Sequence, residues 1–182
     1  MINWFRLLIS KMEKEFLNPK KILEKLNLKK DLIAADFGCG SGGWVIPLAK
    51  ILEDGKIYAI DILEEPLSAL KGKAKLEGIS NIELVKNDVE KGVRLLSQSC
   101  DLVLMTNLLF ECENKKKVLE EGKRVLKKEG KLLIVDWKKE SKIGPAEKVS
   151  PEEVKKMAKD IGFKLEKEFE AGPHHWALVF SK

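Results

Sequence analysis

Threonine and glutamine each occur once in the 182 residues, as Thr106 and Gln98, and tyrosine occurs once, as Tyr58. Arginine is scarce, while lysine is spread along the whole chain and interleaved with glutamate. Charged residues reach 35%, so the surface is rich in Lys and Glu and poor in amides, the composition expected of a heat-adapted protein. The net charge of +5 has no basic cluster interleaved with aromatics behind it, which argues against a nucleic-acid partner. No apolar run approaches the ~20 residues of a membrane span. The amino terminus mixes Arg6, Lys11 and Glu13 with apolar residues and lacks the core of a signal peptide. Cys39, Cys100 and Cys112 show no Cys-x-x-Cys spacing, and an odd number without a framework points to reduced thiols and a cytoplasmic location. Glu111 and Glu113 flank Cys112 and should keep it protonated and unreactive. With two histidines and no paired-ligand spacing, no metal site is expected.

What is present organises simply. A 44% apolar content fits one domain over 1–182, with a helical cap over 1–30 and a core over 31–182. Trp4, Phe5, Leu8, Met12 and Phe16 follow a helical rhythm across 2–17, an apolar face suited to a lid over an acceptor pocket. Asn18-Pro19 starts a short helix over 20–26. Strands and helices alternate from Leu32 onward, which implies a parallel sheet with right-handed crossovers. Helices are expected over 66–77 and 115–128, closed by Gly78 and Gly130, and from the capped start Ser150-Pro151-Glu152-Glu153 to Ile161. Residues 163–169 and 176–180 read as strands joined by the short turn Ala171-Gly172-Pro173, an antiparallel hairpin. The fold class is therefore α/β: a Rossmann-like three-layer sandwich with a mostly parallel seven-stranded sheet and a C-terminal antiparallel hairpin.

The motif that carries chemistry is Ala34-Ala35-Asp36-Phe37-Gly38-Cys39-Gly40-Ser41-Gly42-Gly43-Trp44. An apolar strand ends in an acid and runs into a glycine turn that opens a helix, so a ligand can lie against bare backbone. Asp36 would repel a dinucleotide pyrophosphate and favour an ammonium group beside a sulfonium, as in S-adenosylmethionine. A second strand, Lys56 to Ile60, ends at Asp61, about 20 residues past the glycines, where a carboxylate can accept both ribose hydroxyls. A third, Ile82 to Val85, precedes Asn87-Asp88-Val89; Asp88 there either binds an adenine amino group or caps a helix from Glu90 onward. Ile62 and Val89 could sandwich the ring.

On these residues the chain resembles the class I S-adenosylmethionine-dependent methyltransferases. Asp36 to Gly42 looks like the family's first motif, Asp61 like its ribose acid, and Asp88-Val89 like its adenine motif. Cys100 to Asn107 resembles its fourth strand, and Arg124 to Ile134 the helix, turn and fifth strand that follow. Those last two segments are most similar to the small-molecule branch that includes the ubiquinone/menaquinone-biosynthesis methyltransferases. The resemblance implies that Asp36, Gly38, Cys39, Gly40, Ser41, Gly42, Asp61, Ile62, Asn87, Asp88, Val89, Thr106 and Asn107 hold S-adenosylmethionine. It also implies a small-molecule acceptor.

Methyl transfer needs a nucleophile aligned behind the methyl carbon at roughly 3–3.5 Å, with water excluded; a dedicated base is optional. Candidate bases are Asp136, at the end of the fifth strand, and His174 or His175 in the hairpin. Asp136 reads equally as a loop-capping carboxylate. Thr106-Asn107-Leu108-Leu109 stands where related enzymes acting on adenine bases or glutamine amides carry Asn-Pro-Pro-Tyr/Phe, which argues against those acceptors. RNA or protein methylation and a nicotinamide-dependent oxidoreductase are the rival readings. The oxidoreductase needs a Tyr/Lys pair, and Tyr58 lies inside a strand.

Overall fold

The computed structural model describes residues 16–182; the expected helix over 2–17 lies almost wholly outside them. Asn18 caps the first described helix, α1 (Pro19–Glu24), accepting the Lys21 N–H at 3.1 Å, with proline in the first turn where no N–H is missed. From Leu32 the elements alternate as β1 (Ile33–Phe37), α2 (Val45–Ile51), β2 (Lys56–Asp61), α3 (Glu64–Leu76), β3 (Ile82–Lys86), β4 (Cys100–Thr106), α4 (Lys115–Val125), β5 (Leu126–Trp137), α5 (Pro151–Asp160), β6 (Lys164–Glu170) and β7 (His175–Ser181). Single 3-10 turns stand at Val89–Lys91 and Leu109–Glu111.

The seven strands form one sheet in the order β3-β2-β1-β4-β5-β7-β6. The first five are parallel. β7 is antiparallel to both β5 and β6, so β6 runs parallel to the rest and the hairpin inserts its second strand between β5 and its first. Strand alternation feeds two apolar layers. Ala35, Val103, Ile134 and Leu178 face α4 and α5, while Ala34, Leu104, Val135 and Ala177 face α1, α2 and α3.

Two boundaries differ from the sequence expectation. Gly130 does not end α4: the helix stops at Val125, Leu126 already pairs with Cys100, and residues 127–130 bulge out before Lys131 resumes the ladder opposite Leu102. Aliphatic Leu126, fully buried, is worth more in the sheet than as another helical residue. After Asp88 only one 3-10 turn forms, because Gly92 leaves at φ +89°. The capped start at Ser150 is present as a reciprocal capping box with Glu153, and Gly162 at φ +84° follows the end of α5.

Candidate active site

The carboxyl ends of β1, β2, β3 and β4 meet around a cavity of about 530 Å³, within the range of small-molecule sites. Its wall is built by the glycine loop after β1. Gly38 and Cys39 both donate backbone N–H bonds to Ile60 O at 2.9 Å, which ties the loop to the end of β2. Asp61 completes the tie: Oδ2 accepts the Gly40 N–H and Oδ1 the Leu63 N–H, each at 2.9 Å. A carboxylate has about four lone-pair sites, so Asp61 holds the loop and still has capacity for ribose hydroxyls. Lys73 on α3 steadies the far side, donating to Ser41 O at 2.9 Å and to Ser41 Oγ at 3.1 Å.

The glycines divide by task. At Gly40 (φ +51°) a Cβ would meet nothing within 4 Å, so the backbone is bare toward open space. At Gly42 (φ +87°) a Cβ would stand 2.4 Å from Leu70 Cδ1. Gly42 is thus a packing glycine under α3.

Every residue named from sequence for the cofactor lines the cavity except Asp36 and Gly42. Asp36 is fully buried one step behind the wall: it pairs in register with Leu104, and Thr106, two residues on along the same face, is a lining residue. Neither Asp36 oxygen has a hydrogen-bond partner. Burial, and then the Asp61 carboxylate, push its acid up to about 8.

Asn87 lines the cavity but its amide is spent bracing the following turn, donating to Gly92 O at 2.9 Å and accepting the Arg94 N–H at 3.2 Å. Asp88 caps the 3-10 turn through the Glu90 N–H at 3.0 Å and pairs with Lys91 at 3.0 Å. The Lys91 bond holds it below the ordinary carboxylate range, so it is an acceptor at neutral pH. The cap and the ligand readings are therefore compatible. Ile62, 56% exposed, and Val89, buried, both line the cavity. Asn107 turns out of β4 at φ +51° with its N–H on Val135 O and its buried Oδ1 unpartnered.

Sequence reasoning missed Trp44, Leu63, Pro66, Leu108 and Cys112 in the wall. Cys112 is pushed up to about 12, chiefly by burial and then by Glu90; Glu111 ranks below, so the flanking glutamates are not the main cause.

The three candidate bases lie elsewhere. Asp136 is fully buried on the opposite face from Thr106, accepting the Leu109 N–H at 3.1 Å and the Trp137 N–H at 2.8 Å. Burial raises it to about 6 against the pull of those N–H groups. It is a cap for the turn after β4. Replacing it with alanine should cost about 2–4 kcal/mol by stranding the two donors, measurable by urea unfolding.

His174 and His175 sit where β5 ends and β7 begins. His174 Nδ1 is 3.0 Å from Ser141 Oγ. His175 is fully buried with both ring nitrogens unpartnered, its ring 4.2 Å from that of Trp137 and 5.6 Å from Phe16. Burial, then His174 and Lys138, lower it to about 4, so the imidazole is neutral at pH 7. Trp137 also packs against Gly144, where a Cβ would stand 2.5 Å from the indole. The loop from Lys138 to Val149 is thus strapped over this corner, pinned by Lys148 to Ser141 O at 2.7 Å.

Comparison with known proteins gives the same frame. A methyltransferase-domain family model matches residues 28–173. An S-adenosylmethionine-dependent methyltransferase of Aquifex aeolicus is 32% identical, with a TM-score of 0.85 over 92% of this chain and 91% of its own. A putative type 11 methyltransferase of Sulfolobus solfataricus is 28% identical, with a TM-score of 0.74 over 92% of this chain and 93% of its own. The demethylmenaquinone methyltransferase of Geobacillus stearothermophilus is 30% identical over 112 residues, 61% of this chain and 47% of that protein. This chain spans about half the length of the curated relatives it matches. With the match running through every strand whose end shapes the cavity, the chain belongs to the methyltransferase-domain family.

Proposed function

We propose that this chain transfers the methyl group of S-adenosylmethionine to a small-molecule acceptor. The observation that carries the reading is Asp61, which lines the cavity, fastens the glycine loop through Gly40 and retains acceptor capacity beyond its two backbone bonds. Asp88 supplies an ionised acceptor for an adenine amino group, and Ile62 and Val89 apolar faces for the ring. When bound, the cofactor supplies an electrophilic methyl group. The chain's own part is to orient the acceptor and exclude water. Similarity to demethylmenaquinone methyltransferases favours a small acceptor over RNA or protein. The buried free thiols Cys39, Cys100 and Cys112 support a reducing, cytoplasmic setting. Lys–Glu pairs such as Lys131–Glu166 and Lys155–Glu168 support heat adaptation. Labelled methyl transfer into a metabolite extract, a tRNA/rRNA pool and a protein pool tests the reading. Label confined to macromolecules rejects it.

Of the candidate bases, we assign acceptor contact to His175 rather than His174, whose Nδ1 is engaged by Ser141. Both His175 ring nitrogens are buried and unpartnered outside the cavity, so contact requires the strap over Trp137 to open; the neutral imidazole can then take a proton from an acceptor or donate a hydrogen bond to it. His175→Phe keeps the ring packing. It should leave S-adenosylhomocysteine affinity unchanged and slow transfer to the identified acceptor by about 100-fold or more. A parental rate in this variant makes His175 a packing residue.

A further inference from the structure

We propose that cofactor binding at this site drives a proton off Asp36, so that the cofactor's cationic end enters in exchange for a proton. The proposal rests on the S-adenosylmethionine reading above and concerns how that ligand is held.

Among the described residues, the buried side-chain oxygens without a hydrogen-bond partner are Asp36 Oδ1, Asp36 Oδ2 and Asn107 Oδ1. Both residues stand at the carboxyl ends of adjacent strands, β1 and β4, beside the cavity. All three atoms are acceptors when the acid is ionised, and no unpartnered buried side-chain donor stands beside them. That is the signature of a place made for a cationic donor, and an ammonium brings three N–H groups.

The charges around Asp36 give it no other partner. β2 presents Ala59 in register and Asp61 two residues on. β4 presents Leu104, and the loop presents Cys39, whose thiol burial keeps protonated. The helices over this face contribute Val45, Leu48, Leu67 and Leu70 to the apolar layer. Lys73 spends its ammonium on Ser41. A carboxylate buried beside another acid with no cation costs several kcal/mol, so the free protein keeps Asp36 as the neutral acid. An ammonium brought within about 4–6 Å reverses that balance.

The sign follows from the raised acid. With Asp36 titrating at about 8 in the free protein, about nine in ten molecules carry the proton at pH 7. If the ligand requires the ionised form, its apparent affinity is reduced by the ionised fraction. Dissociation constants should then be about 50-fold weaker at pH 6 than at pH 8, and affinity should fall again at higher pH where the ligand's own amino group loses its proton.

Calorimetry in buffers of different ionisation enthalpy counts the protons. S-adenosylhomocysteine, which keeps the ammonium, should release about 0.9 proton at pH 7. 5′-Methylthioadenosine, which keeps the nucleoside and lacks the amino-acid end, should release none. Asp36→Asn, isosteric with the neutral acid, should abolish both the proton release and the pH dependence for S-adenosylhomocysteine. Should that variant fail to fold, the two-ligand comparison and the pH series on the parental protein decide alone. Equal proton counts for the two nucleosides, or a pH-independent affinity, overturn the proposal and leave the cofactor reading standing. Absence of binding by either nucleoside overturns both.

Discussion

Asp61→Ala should weaken S-adenosylhomocysteine binding by a factor of about 100 or more, with NAD failing to bind either protein. Two charge-assisted hydrogen bonds to ribose hydroxyls are lost, each worth roughly 1.5–3 kcal/mol. A second loss adds to the first, because the Gly40 and Leu63 N–H groups lose the carboxylate that shapes the loop. Asp61→Asn, with one acceptor oxygen, should fall between the two. Titration calorimetry reads all three, and thermal unfolding checks that the variants remain folded. NAD binding together with no S-adenosylhomocysteine binding by the parental protein would sink the cofactor assignment.

The second large effect separates two glycines that look alike in the motif. Gly42→Ala puts a methyl group 2.4 Å from Leu70 Cδ1 at a backbone angle of φ +87°. Left-handed strain of about 1–2 kcal/mol adds to overpacking of about 1–3 kcal/mol, so stability should fall by about 2–5 kcal/mol. Gly40→Ala bears the backbone strain alone, since its Cβ meets nothing. It should cost about 1–2 kcal/mol of stability but obstruct the ligand's approach to the loop, lowering affinity by more than its stability loss. Urea unfolding and calorimetry on the pair give the two numbers. A Gly42→Ala protein as stable as the parent would refute the packing assignment.

The contrast shows what a sequence carries and where it stops. Alternating apolar runs ending in Asp36, Asp61 and the Asn87-Asp88 pair locate three strand ends, because the sheet's burial demands leave no other place for those runs. The hairpin is equally legible from the brief Ala171-Gly172-Pro173 turn. Which side of the wall each side chain occupies is a packing outcome. Asp36 lies behind the lining because the register sets it beside Leu104, two residues short of the cavity-lining Thr106 on the same face. Asp136 points the other way and is consumed by the Leu109 and Trp137 N–H groups. The corner at His175 was visible only as two adjacent histidines. Trp137 follows directly on Asp136 in sequence, yet its neighbours Gly144 and Phe16 are distant enough along the chain that no local pattern announces them.

The order β5-β7-β6 has a consequence for how the chain is made. β6 has one neighbour in the sheet, and that neighbour is the later strand β7. Until residues 175–181 join the sheet, β6 has no partner and β5 shows an open edge, with Leu132 and Ile134 apolar on one face and Leu133 and Val135 on the other. Such an edge invites pairing with another nascent chain. The charged run of β6, Lys164-Leu165-Glu166-Lys167-Glu168, has little apolar surface with which to occupy that edge prematurely. Strand β7, buried along almost its whole length, is the piece that closes the sheet, so the native topology is committed only when β7 enters between β5 and β6.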